Sequence, residues 1–192
     1  MEPAGGSFTI CEATPEMVEG LAYVNYTAWQ ETYRGIIHNT FLDGLTLETY
    51  LNRWRHIMQN RNHHSFVLAA LEPGGGVIGY CMGGRIMEPY ANFEAEIYAL
   101  YLLKKAHGRG IGGKLFKQAM LKLQQMNYTS VCLFVLKENP TIEFYRHYKP
   151  DFEKPEKVAI GGVEYVDMAL GWSTIDSVLF LPPHQITINE KP

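Results

Sequence analysis

A cluster of glycines between a strand-like run and a helix-like run constrains this chain more than any other feature of its sequence. The apolar run 96–103 precedes the cluster, and residues 111–126 after it carry apolar side chains at helical spacing. Closely spaced glycines let a backbone turn tightly and direct successive N–H groups to one point, to which a following helix adds the positive end of its dipole. The pattern therefore predicts a loop that binds a phosphate or pyrophosphate. The loop consists of His107, Gly108, Arg109, Gly110, Ile111, Gly112, Gly113 and Lys114.

One known loop of this kind is the P-loop of nucleoside triphosphatases. Gly108, Gly113 and Lys114 have its spacing. Leu115, however, stands where a Ser or Thr hydroxyl must bind magnesium. The sequence therefore disfavours a nucleoside triphosphatase.

A second candidate is the dinucleotide fingerprint G-x-G-x-x-G, which Gly108, Gly110 and Gly113 match literally. That site also needs an acidic residue roughly 20 positions further on, at a strand end, to bind the ribose. The nearest acid to that place is Glu138, and no earlier βαβ unit precedes the loop. A dinucleotide-binding oxidoreductase therefore stays as an alternative.

The third candidate is the loop R/Q-x-x-G-x-G/A, which holds the pyrophosphate of acetyl-coenzyme A, and other segments of the chain accompany it. Residues 96–115 resemble motif A of the GCN5-related N-acetyltransferase (GNAT) family. Residues 139–145 resemble its motif B, N-x-x-A-x-x-F-Y, with Ile142 in place of the usual small Ala. Residues 28–36 resemble the first-helix segment common among bacterial members. The resemblance covers roughly residues 8–172.

The resemblance implies an acetyl-CoA site built from a splayed strand and the glycine loop. Arg109 and Lys114 would add charge, although a purely solvent-exposed role is the alternative for each. His107 replaces the family's usual Arg or Gln and is mostly neutral at pH 7, so it should hold phosphate less firmly. Asn139 either only caps a helix or also binds the pantetheine arm. The implied cofactor-binding residues are Leu100, Tyr101, Leu102, His107, Gly108, Arg109, Gly110, Ile111, Gly112, Gly113, Lys114 and Asn139.

Two residues are candidates for proton transfer during acetylation of an amine. A glutamate at the position of Glu96 serves as general base in well-known family members, and a carboxylate beside an apolar strand would have a raised pKa. The alternative is a solvated acid at a strand end. Tyr145 follows Asn139 by six residues as in motif B and could protonate the departing thiolate. The alternative is an aromatic residue of the core.

The predicted first helix carries Tyr26, Trp29 and Tyr33 on one face. The default interpretation of this spacing is that the three side chains pack in the hydrophobic core. In the family the segment also borders the acceptor pocket, so Trp29 and Tyr33 are candidates for shaping the choice of substrate.

The order of predicted elements is β-α-α-β-β-β-α-β-α-β-β. It predicts an α/β fold with a mixed, largely antiparallel central sheet and helices on both faces, as in the GNAT family. Residues 1–172 would form a single acetyltransferase domain and residues 173–192 a C-terminal tail of unknown role. Strands are predicted at 8–11, 66–71, 77–86, 96–103, 130–136, 157–160 and 163–170, and helices at 15–35, from 45 onward, at 111–126 and at 140–148.

Composition places the chain among ordinary globular proteins. Its 192 residues are 46% hydrophobic and 19% charged, values typical of a domain that buries a real core. The net charge of −3 argues against nucleic acid as the main partner and permits cationic substrates. No apolar run approaches membrane-spanning length and no signal peptide is visible, so no membrane association is expected.

Neither the cysteines nor the histidines have the spacing of metal ligands. Cys11, Cys81 and Cys132 are scattered, and their number is odd, which favours free thiols in a reducing cytoplasm. His63 and His64 are adjacent in a polar turn without a carboxylate or Cys at ligand distance, so no metal is predicted.

These observations together predict a cytoplasmic, acetyl-CoA-dependent N-acetyltransferase that acts on a primary amine of a small molecule or a protein. Polyamines, amino acids, aminoglycosides and protein amines all fit as acceptors. A non-catalytic acyl-CoA sensor is a further alternative, which release of free CoA thiol in the presence of an amine would distinguish. The oligomeric state stays open, and a homodimer is compatible with the sequence.

Overall fold

The computed structural model describes residues 7–181, and within that range the chain forms one seven-stranded sheet with helices on both sides. The strands are β1 (Thr9–Glu12), β2 (Ser65–Leu71), β3 (Val77–Arg85), β4 (Ala95–Leu102), β5 (Val131–Leu136), β6 (Phe152–Ile160) and β7 (Val163–Trp172). The helices are α1 (Val18–Tyr33), α2 (Asn39–Asp43), α3 (Leu47–Asn60), α4 (Ile111–Gln125), α5 (Ile142–Arg146) and α6 (Asp176–Leu179).

The strands lie in the order β1-β2-β3-β4-β5-β7-β6. All neighbours are antiparallel except β4 and β5, which run parallel and are joined through α4. A parallel pair needs such a crossover, because the chain must return to the same end of the sheet. The predicted mixed, largely antiparallel sheet is therefore confirmed.

Side chains of β4 show which helices cover each face of the sheet. The hydroxyl of Tyr101 lies 3.2 Å from the hydroxyl of Tyr33 on α1. The next side chain, Leu102, points the other way, and its Cδ1 atom lies 3.3 Å from the position of a Cβ on Gly112 of α4. We call these two sides the α1 face and the α4 face.

On the α4 face, an aromatic cluster fixes α5 and β7 against α4. The ring of Phe116 is fully buried and lies within 6 Å of four other rings. Aromatic rings bury large apolar areas and prefer such tilted or edge-on contacts. The cluster therefore holds the end of the sheet next to the glycine loop in one position. Its other members are Phe144, Tyr145, Tyr148 and Trp172.

On the α1 face, α1 and α3 form the opposite layer. Thr46 caps α3 by accepting a hydrogen bond from the backbone N–H of Thr49 at 3.2 Å. Trp54 of α3 packs edge-on against Tyr80 of β3, with ring centroids 4.8 Å apart. This layer places the C-terminal end of α1 beside β4.

The predicted elements are present, with differences at their ends. The short helix α2 was not predicted. β6 begins at Phe152 rather than at residue 157, so it includes Pro155. A proline is disfavoured inside a central strand, but β6 lies at the edge of the sheet, where a proline is tolerated. Helix α5 begins at Ile142, two residues after the predicted start.

The first part of the predicted C-terminal tail packs onto the domain. Ile175 and Val178 are buried, and the backbone N–H of Ile175 donates to the carbonyl of Thr129 at 2.8 Å. Gln124 of α4 donates to the carboxylate of Asp176 at 2.8 Å. Residues 182–192 lie outside the described part of the chain.

Candidate functional site

Strands β4 and β5 separate partway along their length. Their pairing ends at Ile97 and Leu133, whereas β4 continues to pair with β3 as far as Leu102. A β-bulge at Tyr98 accompanies the separation, since Met82 pairs with Ala99 and its neighbour already pairs with Ile97. A bulge bends the strand that carries it. The expected splay is therefore present, and it leaves the β5-facing backbone groups of β4 open to a ligand.

The gap between the two strands forms a cleft with a volume of about 300 Å³. Its walls come from β4, β5, the glycine loop, α5 and the end of α1. The lining residues are Thr32, Tyr33, Ile97, Tyr98, Ala99, Leu100, Tyr101, Leu102, Ala106, His107, Gly108, Gly110, Ile111, Gly112, Gly113, Leu133, Phe134, Val135, Asn139, Thr141, Phe144 and Tyr145.

The glycine loop brings backbone N–H groups to one end of this cleft. Gly108 and Gly110 have φ angles of 72° and 73°, in the left-handed region that glycine adopts without strain. The first hydrogen bond of α4 runs from the N–H of Lys114 to the carbonyl of Gly110 at 3.1 Å. The N–H groups of residues 111–113 therefore have no acceptor within the helix. Together with the helix dipole they suit a pyrophosphate.

The charged residues of the loop differ in their relation to the cleft. His107 lines it, and a ring nitrogen lies 3.3 Å from the carbonyl oxygen of Leu102. Arg109 and Lys114 are not among the lining residues. The ammonium of Lys114 lies over the ring of Phe8, 4.7 Å from its centroid, on the side of α4 that faces the first strand. Its position favours the alternative in which Lys114 is a surface residue.

Glu96 lies at the edge of the cleft, one residue before the point where β4 and β5 separate. Its side chain is half-buried, and it is paired across the sheet with Cys132. Burial raises the pKa of the Glu96 carboxyl, and a hydrogen bond from the backbone of Met87 opposes the rise. Its neighbour Tyr98, which lines the cleft, donates a hydrogen bond to the carbonyl of Arg85. The carboxylate is thus close to the cleft without lining it.

Tyr145 lies in the wall that α5 contributes to the cleft. Its ring packs against Phe116 and Phe144, with centroids 5.6 and 5.0 Å away. Burial raises the pKa of its phenol, so the hydroxyl stays protonated and can donate. Within residues 7–181 this hydroxyl makes no hydrogen bond, although the residue lines the cleft. The ring therefore belongs to the core while the hydroxyl is available to a ligand.

The structure separates the two candidates on α1. Tyr33 lines the cleft, whereas Trp29 does not and instead packs against Tyr33 and Phe41, with centroids 4.8 and 6.4 Å away. Burial raises the pKa of the Tyr33 phenol. Helical spacing places both residues on one face of α1, but only the last turn of the helix reaches the strand separation. Trp29 therefore packs against Tyr33 from outside the cleft.

Asn139 is buried and serves the turn before α5. Its side-chain oxygen accepts hydrogen bonds from the N–H and the hydroxyl of Thr141, at 3.0 and 2.8 Å. The side chain therefore closes the turn that leads into α5, whose N-cap position is Thr141 rather than Asn139, and the residue also lines the cleft.

Other cleft residues carry no signal in the sequence. Phe134 is a member of an apolar run that reads as a buried strand, yet it is the exposed residue of β5. The position of Tyr98 depends on a bulge, which has no sequence signature here. No three His, Cys, Asp or Glu side chains within the described range 7–181 lie together in a way that could hold a metal ion. No helix in that range is both long and apolar enough to cross a bilayer.

Comparisons with known proteins agree with this geometry. The sequence model of the acetyltransferase (GNAT) family matches residues 22–148. The chain is 28% identical over 170 residues, covering 88% of this chain and 95% of the relative, to the uncharacterized N-acetyltransferase YuaI of Bacillus subtilis (strain 168).

Solved structures share the fold. The PaiA N-acetyltransferase of Thermoplasma acidophilum in complex with coenzyme A is 24% identical, with a TM-score of 0.61 over 84% of this chain and 98% of that one. The putative acetyltransferase yncA of Salmonella typhimurium, solved with acetyl-CoA, is 15% identical, with a TM-score of 0.64 over 89% of this chain and 95% of that one.

Proposed function

Because this chain belongs to the acetyltransferase (GNAT) family, we propose that it transfers the acetyl group of acetyl-CoA to a primary amine of a small molecule or a protein. The observation that carries the proposal is the strand separation beside the glycine loop. It provides unpaired backbone groups for an amide-containing arm and a cluster of N–H groups for a pyrophosphate at opposite parts of one cleft. Family membership also favours this interpretation of the loop over the dinucleotide-binding one.

We assign the binding of acetyl-CoA to the backbone more than to charged side chains. The backbone of residues 100–102 would pair with the pantetheine amides, and the N–H groups of residues 108–113 would hold the pyrophosphate. Complexes of the two structural neighbours with coenzyme A or acetyl-CoA support this cosubstrate. Of His107, Arg109 and Lys114, the three loop residues with polar side chains, His107 lines the cleft. Its ring is therefore placed to donate a hydrogen bond to phosphate.

The transfer forms a C–N bond between acceptor and acetyl carbon and breaks the thioester C–S bond. Glu96 would accept the proton that the amine loses, through water, since its carboxyl lies at the edge of the cleft rather than in it. Tyr145 would donate a hydrogen bond, and finally a proton, to the departing sulfur. The raised pKa of Glu96 suits its role, because a more basic carboxylate accepts a proton more readily. The raised pKa of Tyr145 makes it a weaker acid but keeps its hydroxyl protonated, so that it can donate a hydrogen bond to the sulfur as negative charge develops there.

We expect acetyl-CoA to raise the melting temperature of the protein, while NAD and ATP with magnesium leave it unchanged. A ligand that binds only the folded state stabilises it by RT ln(1 + [L]/Kd), about 2.7 kcal/mol at a hundredfold excess over Kd. The same protein should release free CoA thiol when a primary amine is added. Thermal shift and a thiol assay measure the two effects. Stabilisation without thiol release for any amine would support the acyl-CoA sensor instead.

We expect Glu96→Gln to change the pH dependence of kcat/KM. Glu96 must be ionised to accept a proton, so wild-type activity falls as the pH drops through its pKa, which burial raises above the ordinary 4.5. The variant should be on the order of 10-fold slower at pH 7, with the deficit shrinking at alkaline pH, where the amine loses its proton unaided. The surface variant Glu88→Gln is the control. Parallel pH profiles for Glu96→Gln and wild type would contradict a role as base.

A further inference from the structure

The floor of the cleft on the α1 face is an exposed aromatic ring in the middle of the sheet. Phe134 is 37% exposed, although β5 is flanked by strands on both sides and its other residues are buried. Val131 is paired with Trp172, which packs against α4, so alternation along β5 directs Phe134 to the α1 face. The ring of Tyr90 meets it edge-on at 5.1 Å. This ring is a surface for the alkyl or cationic part of a ligand.

The carboxylate of Asp167 lies on the same face of the sheet, further along the strands. The hydroxyl of Tyr165 accepts a hydrogen bond from the N–H of His38, just after α1, so Tyr165 and Asp167, two positions apart, both point to the α1 face. Asp167 is paired with Leu136, which packs with Tyr33. Leu136 is two residues from Phe134, so Asp167 lies about 7 Å beyond the ring along the strand direction.

Asp167 is half-buried and has no partner within the described range 7–181. No hydrogen bond or ion pair reaches its carboxylate there, and burial raises its pKa. Its cross-strand neighbour Glu156 differs, since it accepts from the hydroxyl of Tyr90 at 2.8 Å and from the ammonium of Lys154 at 2.6 Å. A partly buried carboxylate without a donor disfavours the folded state, and a cationic ligand group would remove that disadvantage.

We propose that Asp167 is a specificity determinant that binds a second ammonium group of the acceptor. The preferred acceptors are then aliphatic diamines or longer polyamines. This inference rests on the proposed function. One amine is acetylated in the cleft beside β4, the alkyl chain lies over Phe134, and the other ammonium pairs with Asp167. An amino acid is a poor acceptor in this arrangement, because its carboxylate would meet the negative charge of Asp167.

The test compares acceptors that carry the same reactive amine and differ at the other end. These are 1,4-diaminobutane, 1-aminobutane and 4-aminobutanoate, with 1,3-diaminopropane and 1,6-diaminohexane to find the best chain length. Wild type should have the highest kcat/KM for a diamine. Asp167→Asn should lower kcat/KM for that diamine by about 10- to 30-fold, the usual effect of losing one charge-assisted contact, and leave 1-aminobutane unchanged.

A matched control lies on the same strand. Glu164 is an exposed carboxylate on the opposite face of β7, so Glu164→Gln changes the net charge equally without reaching the cleft. It should leave the preference for diamines intact. Because burial raises the pKa of Asp167, its ionised form is disfavoured in the folded state, and Asp167→Asn should not lower the melting temperature at pH 7. Equal losses for diamine and monoamine in Asp167→Asn would overturn the proposal.

Direct binding separates this inference from the proposed function. Calorimetric titration of 1,4-diaminobutane into the protein with CoA present measures affinity without turnover. Weaker binding to Asp167→Asn than to wild type supports the assignment even if no acceptor releases thiol, in which case the proposed transferase activity alone fails. Equal affinity of the two proteins for the diamine overturns the assignment even if acetylation is observed.

Discussion

Gly110→Val should weaken the binding of acetyl-CoA on the order of 10²-fold while leaving the protein folded. Gly110 has a φ angle of 73° and precedes the first turn of α4. A β-branched residue is strained there by about 1–3 kcal/mol, and the loop escapes the strain by turning its N–H groups away from their common point. A loss of 1.4 kcal/mol in binding free energy corresponds to tenfold in Kd. Calorimetry with acetyl-CoA and with CoA measures the effect.

The control for this variant is Gly75→Val in the turn between β2 and β3. Gly75 has a φ angle of 82°, and a Cβ at either glycine would meet no atom within 4 Å. Both variants therefore suffer the same kind of backbone strain and should lose similar folding stability. Only Gly110 lines the cleft, so only Gly110→Val should lose affinity. Normal affinity in Gly110→Val would place the pyrophosphate elsewhere.

The glycine loop was predictable because its function depends on backbone conformation, which glycines reveal directly. Residues 108 and 110 have the left-handed φ angles that their identity suggests, whereas Gly112 is helical. A substitution at Gly112 would meet Leu102 at 3.3 Å rather than strain the backbone. The left-handed positions of the loop are therefore 108 and 110, because α4 has already begun at Gly112.

The acceptor side of the cleft was much less predictable, because it depends on where strands separate and not on what residues they contain. Phe134 has the sequence environment of a buried residue, and it is exposed because β4 diverges from β5 beside it. Asp167 lies in the middle of β7, between β5 and β6, and its neighbours in the sequence do not distinguish it as a site residue. A bulge at Tyr98 accompanies the divergence, and no local sequence signal marks its position. Patterns in a single sequence indicate the period of an element and the face on which a residue lies, but they do not indicate where two neighbouring strands separate.

Tyr145→Phe should lower the turnover number on the order of 10²-fold and change the Michaelis constant for acetyl-CoA little. The hydroxyl would act on negative charge that develops on sulfur only in the transition state, so its loss affects kcat more than ground-state binding. The ring keeps its contacts with Phe116 and Phe144 in the variant. Since the hydroxyl makes no hydrogen bond within residues 7–181, the free energy of unfolding should change by no more than about 1 kcal/mol.

The control for Tyr145→Phe is Tyr50→Phe, which removes the hydroxyl of a buried tyrosine on α3 that does not line the cleft. Steady-state kinetics and melting curves on both variants separate a chemical role from a structural one. Burial raises the pKa of Tyr145 above the ordinary 10.0, so wild type should show no loss of activity from its ionisation below pH 10. Near-normal turnover in a folded Tyr145→Phe would leave the residue as an aromatic member of the Phe116 cluster, and the departing thiolate would then take its proton from solvent.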